Sequence, residues 1–117
     1  MRIKNAQYFV YILTNERKTV LYTGVTNDLE QRLIEHYLDR HEEKTFTGKY
    51  KCYYLLFYES FQYINNAIVR EKEIKGWTKK KKSNLITAFN PSWTFLNDEL
   101  LGEWPPQHLE HRNEGDM

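Results

Sequence analysis

The apolar positions of this 117-residue chain change their period several times, and each change marks a structural element. Residues 7–14 and 19–25 are dense in Tyr, Phe, Val and Leu, which suit a pleated, half-buried strand. The polar stretch Asn15-Glu16-Arg17-Lys18 separates them, which predicts a β-hairpin with a loop of about four residues. Pairing Thr14 with Thr19 sets Leu13 opposite Val20, Tyr11 opposite Tyr22 and Phe9 opposite Gly24. Side chains alternate faces along a strand, so the two tyrosines are then direct neighbours on one face. A helix is predicted over 28–40, with Asn27 as N-cap and Glu30 completing a capping box. Leu29, Leu33 and Tyr37 form its buried stripe, and Arg32 and His36 stand one turn apart on the flank.

Residues 45–51 read as a polar loop, and Cys52–Tyr58 as a third strand, too short and too aromatic for a helix. The next helix covers 63–77, with Ile64, Ala67, Ile68, Glu71 and Ile74 on one stripe. Glu71 is the carboxylate in this apolar set. It therefore faces the protein, where an unpaired charge is expensive and calls for a cation or strong donors. Gly76 marks the helix end, and Lys79, Lys80, Lys81 and Lys82 open a last helix to about 88. Asn90-Pro91 stops regular structure. The order β-β-α-β-α-α places the chain in the α+β class, with residues 1–97 as the domain and 98–117 as a flexible tail.

Charge sharpens that division. Residues 98–117 hold six acids and one base, whereas residues 1–97 hold sixteen bases and ten acids, so the overall net charge of +1 hides a basic body. A basic body suggests a polyanionic partner. No apolar run approaches the ~20 residues needed to span a membrane. There is no signal-peptide pattern, and the lone Cys52 has no disulfide or zinc partner, so the expected location is the cytoplasm.

Taken singly, a tyrosine pair, an Arg-x-x-x-His flank and an inward glutamate each have a plain packing explanation. Together they are groups that phosphodiester chemistry uses. Their order also resembles the GIY-YIG nuclease superfamily, and especially its small single-domain bacterial members, over roughly residues 7–95. The resemblance is carried by Phe9-Val-Tyr11, Tyr22-Thr-Gly24, Gly24-Val-Thr-Asn-Asp-Leu-Glu-Gln-Arg32, His36, Arg70-Glu-Lys-Glu-Ile-Lys-Gly-Trp77 and Phe89-Asn-Pro-Ser-Trp93. It implies a three-stranded antiparallel sheet with helices packed around it. It also implies one divalent ion, Mg²⁺ or Mn²⁺, on Glu71, with Tyr11, Tyr22, Arg32 and His36 catalytic and Gly24 and Asn90 supporting. Phe9 replaces the glycine of the first motif and Thr23 the isoleucine of the second. A larger residue at 9 fits if it lies against Gly24.

The expected activity is metal-dependent cleavage of DNA, branched or damaged, in repair or recombination, with RNA not excluded. Arg32 suits charge building on a phosphate, because it is a permanently charged planar fork. Tyr11 is one candidate base, oriented by Tyr22. His36, with an ordinary pKa of about 6.5, is the other. Lys49, Lys51, Lys72, Lys75, Lys79, Lys80, Lys81 and Lys82 are candidates to hold the backbone, which positions a duplex without reading its sequence. The alternatives are a non-catalytic nucleic-acid-binding module and a subunit targeted by a protein partner.

Overall fold

The computed structural model describes residues 7–106. In chain order these are β1 (Tyr8–Thr14), β2 (Leu21–Thr26), α1 (Leu29–Leu38), α2 (Phe46–Tyr50), β3 (Tyr54–Phe61), α3 (Ile64–Lys75), α4 (Lys79–Phe89) and α5 (Asn97–Leu101). The three strands form one antiparallel sheet in the order β2-β1-β3. β1 is central and buried on both faces: Val10, Tyr11, Ile12 and Leu13 are all fully buried. Val10 and Ile12 pack with Ala67 and Ile74 of α3 and Ile86 of α4. Tyr11 and Leu13 point the other way, into Leu29 and Leu33 of α1 and Leu96. An extra residue in β3 between Leu55 and Phe57 forms a bulge opposite Ile12 and Leu13. No helix among the described residues is long and apolar enough to cross a membrane.

The hairpin register differs from the expected one by two residues: Tyr11 pairs with Gly24 and Leu13 with Tyr22. The turn is the cause. Asn15 Oδ1 accepts hydrogen bonds from the backbone N–H groups of Thr19 at 2.8 Å and Val20 at 3.2 Å, and Lys18 adopts a φ of 60°. This lengthens the connection to residues 15–20. A shift of two preserves faces, since strand side chains repeat every second residue. Tyr11 and Tyr22 therefore still share a face, but as diagonal neighbours with ring centroids 6.4 Å apart. Phe9 pairs with Thr26 and does not lie against Gly24.

Other boundaries also move. Asp28, not Asn27, caps α1, its side chain accepting from Gln31 N at 3.0 Å. The segment expected as a loop contains α2, which Thr45 caps through Gly48 N at 3.0 Å. β3 starts and ends later than its apolar run, because its last residues pair with the start of β1. The chain remains ordered past the expected boundary at residue 97. α5 spans it, and Asn97, 1% exposed, accepts from Leu55 N at 2.8 Å and donates to Tyr53 O at 2.9 Å. Trp104 then packs edge-on against Tyr37 at 5.2 Å. Residues 98–106 thus belong to the packed body; the rest of the expected tail lies outside the described residues.

Candidate active site

Gly24 makes the first contact of the site. A Cβ there would stand 2.5 Å from Cζ and Oη of Tyr11, so the missing side chain leaves room for the phenol. From α1, His36 places Nε2 at 3.0 Å from the Tyr11 hydroxyl. Arg32, one turn earlier, lies close enough for its charge to act on that hydroxyl and holds Glu35 at 3.1 Å through Nε. The Tyr22 ring meets His36 edge-on at 5.8 Å. Tyr22, Arg32, Glu35, His36, Asp39 and the 45–47 segment enclose an open cleft of about 350 Å³.

Burial sets the protonation of this cluster. It raises the Tyr11 phenol above its ordinary value, the neighbouring Tyr22 adds to the effect, and Arg32 pulls the other way. Burial also lowers His36 to about 4, with the Arg32 charge acting in the same direction. His36 is consequently a neutral imidazole at physiological pH. Arg32 keeps its charge: burial works against it, but Tyr11 and Glu35 more than compensate.

Glu71 is reached differently. Its side chain is 11% exposed on α3, and Lys75 Nζ lies 2.7 Å from Oε2. Lys75 is therefore the cation that an inward carboxylate requires, and its ammonium also stands 6.0 Å from the Tyr22 ring centroid. The i,i+4 spacing of Glu71 and Lys75 was visible in the sequence; the contact with Tyr22 was not.

The other expected residues divide. Asn90 is buried, and its side chain bonds Leu56 O, Thr94 O and Thr94 N, so it closes the turn after α4 and is not drawn into the cluster. Lys51 spends its ammonium on Arg40 O at 2.6 Å, and Lys79 on Thr19 O at 2.6 Å. Lys81 lies 4.4 Å over Trp77 and Lys49 5.4 Å over Tyr50. Lys72 and Lys80 are exposed and Lys82 is half-buried. One neighbour was missed altogether: Phe46, on the unexpected α2, stacks on Tyr22 at 5.9 Å. Nothing local in the sequence signals it.

A three-stranded α+β domain with two phenols, a guanidinium and an imidazole gathered by one strand-strand-helix unit has the layout of a nuclease family. Residues 7–84 match the family model described as the GIY-YIG catalytic domain, and the chain belongs to that family. It is similar to a UPF0213 protein of Haloquadratum walsbyi, 36% identical over 81 residues that cover 69% of this chain and 88% of the relative. A UPF0213 protein of Staphylococcus saprophyticus is 31% identical over 81 residues, covering 69% and 95%. Among solved structures, the solution NMR structure of a UPF0213 protein from Bacillus halodurans matches with a TM-score of 0.44 and 26% identity, over 70% of this chain and 84% of that one.

Proposed function

We propose that this protein is a metal-dependent DNA endonuclease with structure-directed or weak sequence selectivity, acting in the cytoplasm in repair or recombination. The observation that carries the reading is the 3.0 Å contact between a buried Tyr11 hydroxyl and a neutral His36, with Arg32 beside it at the wall of an open cleft. The contact supplies a proton path. Tyr11 Oη takes a proton from the attacking water and passes its own to His36 Nε2, so neither group acts alone. An imidazolium in this buried place is costly beside Arg32, and negative charge building on the phosphate offsets that cost as the reaction proceeds. Arg32 donates to the phosphoryl oxygens, and Tyr22 orients the water.

Glu71 suits a divalent ion in chemistry and in number. Its oxygens are hard donors, and no group of three His, Cys, Asp or Glu among the described residues forms a protein cage. A single carboxylate leaves the remaining positions to waters and phosphate oxygens, the habit of Mg²⁺ and Mn²⁺. Held there by Glu71, such an ion would supply Lewis-acid stabilisation of charge on the phosphate. Lys72, Lys80 and Lys82 contact the flanking backbone. The pairing of Glu71 with Lys75 also favours a second reading, a nucleic-acid-binding module without turnover.

The test offers wild type and Glu71→Gln to nicked, branched, single-stranded and duplex DNA with Mg²⁺ or Mn²⁺. Wild type is expected to cut at least one substrate. Glu71→Gln is expected to keep binding while its rate falls by roughly a thousandfold, and Tyr11→Phe should lose roughly a hundredfold. Binding by wild type with no metal-dependent cleavage of any substrate selects the module.

A further inference from the structure

The geometry points to a nucleobase-binding platform, formed by Phe46 and Tyr50, that receives an extrahelical base from the nucleotide beside the scissile phosphate. The proposal rests on the nuclease reading above for the position of that phosphate. Phe46 is 47% exposed and Tyr50 41% exposed; Tyr63 and Phe89 are exposed to a similar or greater degree, so it is the placement of this pair that matters. They are not scattered. Phe46 stacks on Tyr22 with an interplanar angle of 29°, and Tyr50 follows it with ring centroids 4.8 Å apart. An aromatic track therefore runs from the wall of the reaction cleft to the surface.

The support beneath the track is rigid. Thr45 caps α2, and Gly48 is packed so closely against the backbone of Glu42 and Asp39 that no side chain fits there. Lys51 ends the helix in a left-handed conformation and ties it to Arg40 O. Two aromatic faces held in place before binding lose little freedom when a base stacks on them.

Charged groups flank the aromatic track. The cleft lined by Phe46 also carries Asp39 and the Arg32–Glu35 pair, so carboxylates that accept N–H groups from a base edge stand beside a guanidinium that holds a phosphate. Lys49 lies 5.4 Å over Tyr50. A base inside a duplex shows only its edges, so it reaches a stacking face only after leaving the helix. Stacking on an aromatic platform is tolerant of base identity, since every base has a π-face.

The test uses the full chain carrying Glu71→Gln, so that binding is read without cleavage. Fluorescence anisotropy compares a duplex holding one bulged nucleotide with the same duplex holding an abasic bulge. The base is expected to tighten binding about tenfold. Phe46→Ala should erase the difference, Phe46→Trp should restore it, and Tyr50→Ala should reduce it. Equal affinities for the two probes, or a base effect that survives Phe46→Ala, overturns the platform. Cleavage by wild type without the base effect sinks the platform alone. A Phe46-dependent base effect without cleavage by wild type sinks the nuclease reading alone.

Discussion

Two helices bring polar side chains to the sheet, and they do so under opposite electrostatic rules. On α1, His36 is neutral and lowered to about 4, and it meets a Tyr11 phenol whose ionisation burial suppresses. On α3, Glu71 and Lys75 meet as a charged pair at 2.7 Å. The first group is suited to moving protons between neutral sites, the second to holding charge at a fixed place. Tyr22 joins them, 5.8 Å from His36 and 6.0 Å from the Lys75 ammonium. If this division of labour holds, each half can be damaged without the other.

Gly24→Ala should damage the α1 half most. The new Cβ would meet Tyr11 Cζ and Oη at 2.5 Å, so the fully buried ring must shift. The phenol must leave His36, so cleavage should fall about a hundredfold, with overpacking costing about 1–3 kcal/mol of stability. Mn²⁺ affinity at Glu71 should stay within about twofold, because Lys75 and Glu71 are untouched. Single-turnover rates and a Mn²⁺ titration check both sides; parallel loss of metal binding would mean the halves are one unit.

A smaller effect is legible in pH. Because the folded value of His36 is depressed to about 4, the unfolded chain binds a proton that the folded chain refuses between about 6.5 and 4. Stability linked to the neutral imidazole is therefore complete above about 6.5 and is lost as pH falls toward 4, by roughly 3 kcal/mol. Urea unfolding of wild type and His36→Gln at pH 7 and 4.5 should show the variant losing less on acidification. Parallel losses would mean that His36 titrates normally and is not the desolvated partner of Tyr11.

The same contrast explains which parts of the molecule were readable in the sequence. Local period carried the hairpin, α1, α3, α4 and the inward turn of Glu71. Parity carried the shared face of Tyr11 and Tyr22 even though the register was off by two, because the turn is set by the Asn15 side chain and not by loop composition. What failed depended on distant partners. α2 contains Gly48, which composition reads as a breaker and packing requires. α5 is held by Asn97 reaching the backbone of β3, a contact between residues 42 apart in sequence. Lys51 and Lys79 look like free cations until the carbonyls they bind are known. Thr23 shows a cost that no pattern reveals: its hydroxyl is buried without a partner where the family has isoleucine.

Lys75 gives the finest test of the α3 half. An ammonium at 2.7 Å from Glu71 competes with any divalent ion for the same oxygens and repels it at close range. Lys75→Met keeps most of the aliphatic length and removes the charge, so Mn²⁺ should bind about tenfold more tightly, roughly 1.4 kcal/mol. Lys72→Met is the control, since it removes an equal charge from the next residue along the chain without touching the pair. Electron paramagnetic resonance of free Mn²⁺ reads the affinity without any cleavage assay. Glu71→Gln should abolish the binding that Lys75→Met strengthens. Equal tightening by Lys72→Met would reduce the effect to net charge. Weaker binding by Lys75→Met would mean that the lysine helps to build the metal site, and that the charged half of the molecule works as a lysine–carboxylate unit and not as a carboxylate in waiting.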